Sequence, residues 1–195
     1  MNKTDIVAFF DELAPKWDEG LIHDDGKINR ILNYADIGPG MRVLDVACGT
    51  GVLFPDYLKR GVGKVTGIDL SEAMIARARA KFDDPRICLM AADVEEAVFE
   101  EPFDRCMVYN AFPHFPDPAR LIGVLANALV PGGRLTVAHG KSREEINGHH
   151  AGVASAVSRG LPHEEELAML FQRHFNTDVI VADNGIYVVS GIKRR

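Results

Sequence analysis

The chain has 195 residues, of which 47% are hydrophobic, and its formal net charge is −6. This length supplies one well-buried core and little room for a second, so we expect a single domain over residues 1–195. The negative charge provides no broad positive field, which disfavours nucleic acid and anionic membranes as partners and favours a small-molecule substrate.

The start of the chain contains acidic residues and no long apolar run, so we expect neither a secretory signal nor stable membrane insertion. The three cysteines Cys48, Cys88 and Cys106 lie in apolar stretches and lack CxxC spacing. Such a pattern is typical of reduced, packed thiols rather than of disulfides or a thiolate zinc site. The sequence therefore predicts a cytoplasmic protein, and it leaves the oligomeric state open.

The predicted elements divide the chain into a helical cap, residues 1–40, and a core, residues 41–195. The cap has helical segments near residues 5–13 and 27–35 and no strand. In the core, short β-rich runs alternate with helices such as 71–81, where Ser71 is a good N-cap, and this alternation predicts a parallel sheet. The predicted strands are 42–46, 64–69, 87–91, 104–109, 134–139, 177–182 and 186–193.

The last two predicted strands are separated by Asn184 and Gly185, the favoured pair for a two-residue hairpin turn. They should therefore pair antiparallel. The whole pattern predicts an α/β, Rossmann-like three-layer sandwich, whose mostly parallel seven-stranded sheet ends in an antiparallel hairpin and carries an N-terminal helical cap.

A glycine-rich turn follows the first predicted strand. The segment VLDVACGTG places Asp45 in the strand, and Gly49 and Gly51 in a turn before a helix, where the backbone can approach a ligand closely. The second strand ends at Asp69, where a carboxylate can accept both hydroxyl protons of an adenosine ribose. These two features fit nicotinamide dinucleotides and S-adenosylmethionine equally well.

Later features separate these two ligands. The dinucleotide fingerprint needs a small residue at position 54, where Phe54 would obstruct close packing of the helix on the strand. The third strand leads to Asp93, where a carboxylate can accept from an adenine amino group. The fourth strand ends in YNAFPHF, and the glycine turn LVPGG precedes the fifth. Together these features favour S-adenosylmethionine.

The chain resembles the class I S-adenosylmethionine-dependent methyltransferases, and most closely their ubiquinone/menaquinone-methyltransferase-like small-molecule group. The resemblance runs through FFDELAPKWDE, VLDVACGTG, VTGIDLSEAMI, AADVEE, FDRCMVYNAF and LVPGGRLTVAHG. It implies an enzyme that transfers a methyl group from S-adenosylmethionine to a small molecule. Two alternatives remain open at this point: a sensor module that binds the cofactor without methyl transfer, and a nicotinamide-dependent oxidoreductase.

The resemblance also implies which residues bind the cofactor. Where the family's glycine loop begins with glycine, this chain has Ala47, which fits if that residue has a negative φ. Trp17 and Asp18 match an aromatic-acidic pair that closes over the cofactor. The other implied contacts are Asp45, Gly49, Gly51 and Asn110 for the methionine part, Asp69, Leu70 and Met74 for the ribose region, and Asp93 and Val94 for the adenine.

Several histidines are expected on the substrate side of this site. His114 follows the fourth strand, His139 ends the fifth, and a capping box formed by Ser142 and Glu145 predicts a helix that carries further histidines. Three roles remain open for these histidines: a general base or substrate-orienting residue, ligands of a divalent metal, or loop residues without a chemical role. The candidate catalytic residues are His114, His139 and His150, and the candidate metal ligands are His114, His139, His149, His150 and Glu145.

Overall fold

A computed structural model describes residues 2–150, 156–183 and 185–195. Its seven strands form one sheet in the order β3-β2-β1-β4-β5-β7-β6. The strands are β1 Arg42–Val46, β2 Lys64–Asp69, β3 Ile87–Ala91, β4 Phe103–Tyr109, β5 Leu129–His139, β6 Phe175–Ala182 and β7 Tyr187–Lys193. The helices are α1 Lys3–Leu13, α2 Asp25–Tyr34, α3 Phe54–Lys59, α4 Glu72–Lys81, α5 Pro118–Ala128, α6 Arg143–His150 and α7 Glu164–Phe171.

The sheet has the predicted mixture of strand directions. Strands β1 to β5 pair in parallel, whereas β7 pairs antiparallel with both β5 and β6. The backbone N–H of Asp183 donates to the carbonyl of Ile186 at 3.0 Å, which closes the predicted hairpin around positions 184 and 185. Asn184 itself lies outside the described residues. The mostly parallel sheet with a terminal antiparallel hairpin is confirmed.

Strand β5 begins earlier than predicted. Leu129 already pairs with Phe103 of β4, and the register shifts before the regular pairing of Arg134 with Arg105. The glycine turn that the sequence suggests before the fifth strand is therefore an irregular part of the strand itself, since the neighbouring strand supplies a pairing partner on both sides of it.

Side-chain caps fix where several helices begin. Asn2 accepts from Asp5 N at 2.8 Å and Asp24 accepts from Lys27 N at 3.0 Å, so α1 and α2 begin two residues before their predicted starts. The predicted Ser71 cap is confirmed, since its hydroxyl accepts from Met74 N at 3.1 Å. Ser142 and Glu145 form the predicted capping box, with bonds of 3.0 and 3.3 Å between each backbone N–H and the other side chain.

Helices cover both faces of the sheet. Leu44 of β1 belongs to a buried cluster with Leu121 of α5 and Phe171 of α7. The neighbouring Val43 points to the opposite face, into a cluster with Ile28 of α2 and Ile75 of α4. This arrangement is the predicted three-layer sandwich. No helix in the described part of the chain is long and apolar enough to cross a membrane.

The three cysteines are all free thiols, as expected, but they are not all packed. Cys48 and Cys106 are buried, whereas Cys88 is exposed. The prediction of a packed thiol is wrong for Cys88 because it lies on β3, an edge strand of the sheet.

Phe54 is fully buried and lies over two glycines instead of holding α3 away from the sheet. A Cβ atom placed on Gly67 of β2 would lie 2.6 Å from Phe54 Cζ, and one placed on Gly51 would lie 2.6 Å from Phe54 Cδ2. The ring therefore occupies the space that side chains at these two positions would need. The large residue at position 54 is accommodated because glycines face it.

We expect Gly67→Ala to destabilise the protein by about 1–3 kcal/mol, the usual cost of overpacking a core. The added methyl group would meet Phe54, and it would also lie 2.9 Å from Cys48 Sγ and 3.1 Å from Leu89 Cδ2. Alanine gains at most about 1 kcal/mol from lower chain entropy in the unfolded state, which is too little to offset this clash. Urea unfolding measures the change, and adding Phe54→Leu should restore part of the loss; strictly additive losses would contradict the explanation.

Candidate functional site

A cavity lies at the carboxyl ends of β1 to β4, beneath the cap. Side chains that follow each of these strands line it, together with residues of α1 and of the segment between α1 and α2. Open parallel sheets bind ligands at this edge, where the strand order reverses beside β1. The structure brings most of the predicted cofactor-binding residues to this cavity, namely Trp17, Ala47, Gly49, Asp69, Leu70, Met74, Asp93, Val94 and Asn110.

Asp45 and Gly51, which were also predicted to contact the cofactor, do not line the cavity. Asp45 is buried in β1, on the face of the sheet opposite to its neighbours Leu44 and Val46. Gly51 has a φ of +85° and faces Phe54 and Phe82. Both residues therefore lie on the side of the turn that faces away from the cavity. The pleat of β1 directs Asp45 to that side, and Gly51 packs against Phe54.

Burial raises the pKa of the Asp45 carboxyl to about 8; the neighbouring Tyr57 hydroxyl lowers it and the charge of Asp69 raises it. Asp45 is therefore mostly protonated at neutral pH. A protonated carboxyl at this depth avoids the large free-energy cost of a buried, unpaired charge.

We expect Asp45→Asn to remove a pH dependence of stability. The folded pKa of about 8 lies above the ordinary value of 3.8, so between these pH values the folded chain holds one proton more than the unfolded chain. The free energy of unfolding of the parent therefore falls as pH rises, by at most about 1.4 kcal/mol per pH unit. Asparagine does not titrate, so the variant should be relatively more stable at pH 8 than at pH 5. Chemical unfolding across this range measures the difference, and equal pH slopes would contradict the assignment.

Asp69 links the turns after β1 and β2. Its Oδ2 atom accepts from Gly49 N at 2.8 Å and its Oδ1 atom accepts from Ser71 N at 2.9 Å. Burial raises the pKa of Asp69, while these backbone donors lower it. Each carboxylate oxygen has a second lone pair, so the group can still accept the two ribose hydroxyl protons that the sequence argument assigned to it.

Two residues lining the cavity have a backbone conformation that usually requires glycine. Ala47 and Asn110 both have φ of +53°. The condition under which alanine would fit easily, a negative φ, is not met: the turn keeps the left-handed geometry of a glycine position, at a cost of about 1–2 kcal/mol for a residue with a Cβ. Asn110 fixes its strand end further, since its Oδ1 atom accepts from Gly140 N at 2.9 Å. Strain at two adjacent strand ends is typical of ligand sites.

Asp93 contacts the cap. Lys3 Nζ donates to Asp93 Oδ2 at 2.5 Å and to Glu95 Oε2 at 2.7 Å. Burial opposes the charge on Lys3, but the hydrogen bonds and charges of these two carboxylates outweigh it and raise its pKa. In the structure, the carboxylate expected to meet an adenine amino group is thus held by an ammonium group of α1.

Two further hydrogen bonds join the cap to the loops that line the cavity. Ser71 Oγ donates to Asp11 Oδ1 at 2.5 Å, and Thr50 Oγ1 donates to Asp18 Oδ1 at 2.6 Å. Trp17 lines the cavity and packs edge-on against Phe10. The predicted aromatic-acidic pair therefore divides its roles: Trp17 faces the cavity and Asp18 holds the segment to the core.

His114 lies at the cavity, at the end of the short helical turn Phe112–His114. Its Nδ1 atom lies 2.7 Å from the carbonyl oxygen of Val157. A carbonyl only accepts, so Nδ1 carries the proton and the lone pair of the neutral ring is on Nε2. Burial lowers the pKa of His114 below its ordinary value, against an opposing effect of the Val157 carbonyl. The ring is therefore neutral at pH 7.

The remaining predicted histidines do not join His114 in a described metal cluster. His139 is fully buried with its ring against Tyr187, and it does not line the cavity. Glu145 is exposed and its carboxylate caps α6 through Ser142 N. The side chains of His149 and His150 lie outside the described residues. The predicted metal site is therefore not formed by His114, His139 and Glu145, because the sheet buries one and the helix cap engages another.

Helix α1 presents to the cavity a face that was not predicted from the sequence. Lys3, Val7 and Phe10 line it, and their spacing of four and three residues places them on one side of the helix. The Phe10 ring lies edge-on to the His114 ring at 5.0 Å between centroids. The spacing was a usable signal, but it does not indicate which surface the helix covers.

Comparison with known proteins agrees with this geometry. Residues 43–133 match a family model described as a methyltransferase domain. The N-methyltransferase NodS from Bradyrhizobium japonicum, solved with S-adenosyl-L-homocysteine, covers the whole chain at a TM-score of 0.74 and 15% identity. The [4+2]-cyclase SpnF has a TM-score of 0.79 at 16% identity, covering 100% of this chain and 97% of its own. The chain therefore matches a methyltransferase-domain family over residues 43–133, and its whole length has the fold of these solved structures.

Curated relatives extend the comparison to sequence. The ubiquinone biosynthesis O-methyltransferase of Neisseria meningitidis serogroup C is 33% identical over 142 residues, which are 65% of this chain and 58% of that protein. The protein of the same name from Nitrosococcus oceani is 33% identical over 152 residues, or 69% of this chain and 64% of its own length. The chain thus spans less than two thirds of these relatives.

Proposed function

We propose that this protein is an S-adenosylmethionine-dependent methyltransferase that acts, as one domain, on a hydroxyl group of a small molecule in the cytoplasm. The observation that carries the proposal is the placement of Asp69, Asp93 and His114 around one cavity at successive strand ends. Two carboxylates suit the ribose and adenine of the cofactor, and a neutral imidazole suits an acceptor that must lose a proton. Sequence identity to proteins named as O-methyltransferases supports oxygen as the accepting atom.

We infer that the cofactor would bind along the strand ends in the order predicted from the sequence. When bound, S-adenosylmethionine supplies an electrophilic methyl group on its sulfonium. Asp69 would accept the ribose hydroxyl protons, and Asp93 would accept from the adenine amino group once it shares its carboxylate with Lys3. Gly49, which has no side chain, would leave room in the left-handed turn for the methionine part.

His114 would act on the acceptor. A lone pair on Nε2 could accept the hydroxyl proton as the acceptor oxygen bonds to the methyl carbon and the methyl–sulfur bond breaks. The products would be an imidazolium, a neutral methyl ether and a neutral thioether. Apolar walls at Phe10, Ile22 and Phe115 would bind an apolar or aromatic acceptor and exclude water from the reacting atoms. The acceptor class we propose is therefore a phenolic hydroxyl.

Turnover on a small acceptor panel tests this proposal. The protein would be incubated with S-adenosylmethionine and with phenols, thiols or amines of similar size, and S-adenosylhomocysteine would be quantified by mass spectrometry. We expect turnover on phenols above a control without acceptor. Binding of S-adenosylhomocysteine without turnover on any acceptor would favour the sensor alternative, and failure to bind S-adenosylhomocysteine would overturn the proposal.

A further inference from the structure

A group of potential metal ligands lies outside the cavity, where the cap meets the core. His23 Nε2 is 3.1 Å from Asp56 Oδ2 and 3.3 Å from Asp25 Oδ1. His23 and Asp25 belong to the cap, whereas Asp56 lies in the first turn of α3. Nothing in the proposed methyl transfer uses these three side chains.

The buried carboxylate of Asp56 is the observation that points to a ligand. Asp56 is 4% exposed, and its Oδ2 atom accepts no hydrogen bond from the described residues although His23 Nε2 is close to it. A carboxylate at this depth normally accepts hydrogen bonds or binds a metal, because an isolated buried charge costs several kcal/mol. Here the carboxylate oxygen and the imidazole nitrogen face each other without hydrogen-bond geometry.

The two distances from His23 Nε2 are those of ligands around a common ion. Two ligand atoms that each lie about 2.0–2.1 Å from one metal, at angles between the octahedral and tetrahedral values, are about 2.8–3.4 Å apart. Both contacts of His23 Nε2 fall in this range. All three candidate ligand atoms lie within 4.8 Å of one another. Convergent lone pairs at this spacing repel each other unless a proton or a cation lies between them.

We propose that His23, Asp25 and Asp56 bind a divalent transition-metal cation such as Zn²⁺, with solvent completing its coordination. One imidazole and two carboxylates suit Zn²⁺ better than Mg²⁺, which prefers oxygen ligands and retains its water. The site differs from the metal site predicted around His114 in every ligand. It joins the segment that carries Leu21 and Ile22, two residues of the cavity wall, to α3 of the core.

A second group of this kind, His163, Glu164 and Glu165, carries no such inference and serves as a control. Its members are consecutive in sequence, none is buried, and the His163 backbone N–H donates to Glu166 Oε2 at the start of α7. The comparison shows what distinguishes the first group. Only there does a buried carboxylate from a distant part of the chain face the imidazole.

Titration with Co²⁺ tests the proposal on the full chain after treatment with a chelator. We expect one equivalent of Co²⁺ to produce visible ligand-field absorption that stoichiometric Zn²⁺ abolishes and excess Mg²⁺ does not. His23→Gln and Asp56→Asn should each weaken Co²⁺ binding at least about tenfold, since each removes one ligand. The control His163→Gln should leave Co²⁺ affinity unchanged.

The variants and the readout keep the proposal independent of enzymatic activity. His23 is partly exposed, so His23→Gln should fold even if Asp56→Asn does not, and circular dichroism checks this. Absence of ligand-field absorption in the parent would overturn the proposal and leave His23 and Asp56 as an ion pair. Co²⁺ binding that survives in a folded His23→Gln variant would overturn it as well. Either result leaves the methyltransferase proposal standing.

Discussion

Asp69→Ala is expected to abolish measurable binding of S-adenosylhomocysteine. The substitution removes the acceptor for two ribose hydroxyls, and it also leaves Gly49 N and Ser71 N without the carboxylate that holds the two turns together. Hydrogen bonds to a charged group contribute about 1.5–3 kcal/mol each, so the loss of two to the ligand alone weakens binding about 100-fold or more. Isothermal titration calorimetry at a fixed pH measures the effect.

Asp69→Asn is the informative partner of this variant. Asparagine keeps one acceptor oxygen but replaces the other with an amide donor, which would face a backbone N–H that is also a donor. The affinity for S-adenosylhomocysteine should therefore fall clearly, but less than in Asp69→Ala. Asp84→Ala, at a partly exposed position outside the cavity whose carboxylate pairs with Arg86, is the matched control and should bind like the parent. If Asp69→Ala binds S-adenosylhomocysteine within threefold of the parent while remaining folded, Asp69 is not the ribose ligand.

His114→Gln should lower kcat by about 10²–10⁴, the usual contribution of a general base, while changing cofactor affinity little. Glutamine fills similar space and donates to the Val157 carbonyl, but it cannot take a proton from the acceptor. The expected pattern is therefore a loss in kcat with near-normal binding of S-adenosylhomocysteine. Single-turnover rates on an active phenolic acceptor measure it, with His163→Gln as the control.

The pH profile distinguishes a base from a residue that only shapes the site. Burial lowers the pKa of His114, so the neutral, proton-accepting form persists below the ordinary histidine value of 6.5. Parental kcat/KM should therefore fall only on the acid side of that value, as the imidazole gains a proton. The residual activity of His114→Gln should lack this acidic limb. If the variant keeps the acidic fall in kcat/KM, a group other than His114 is responsible for that titration.

The fold followed from local patterns because each pattern has a direct physical cause. Alternating runs of strand and helix require crossovers, and an Asn-Gly pair closes a hairpin, so sheet direction could be predicted from single segments. Helix starts were less accurate, because Asn2 and Asp24 cap α1 and α2 from positions that the apolar pattern does not mark. The early start of β5 depends on a partner in β4 and has no local signal.

The cofactor side of the candidate site could be predicted better than the substrate side. Strand ends of a parallel sheet meet at one edge, so Asp69 and Asp93 had to converge once the strands were known. The pleat also explains why Asp45 does not line the cavity: side chains alternate along β1, and this one points away from it. The partners of Lys3, His23 and His139 depend on which surfaces the cap and the hairpin cover, and sequence spacing does not contain that information.

The hydrogen bond between Lys3 and Asp93 has a consequence for the order in which the chain folds. It joins residues 90 positions apart, and the Asp11–Ser71 contact joins residues 60 positions apart, so α1 has no docking surface until β2 and β3 are in place. Contacts that close such long loops form late, because the loop entropy must first be offset by the sheet. Helix α1 is therefore synthesised before β2 and β3, but it packs against them only after they have formed. Its amide protons should exchange with solvent through partial opening while the sheet stays protected.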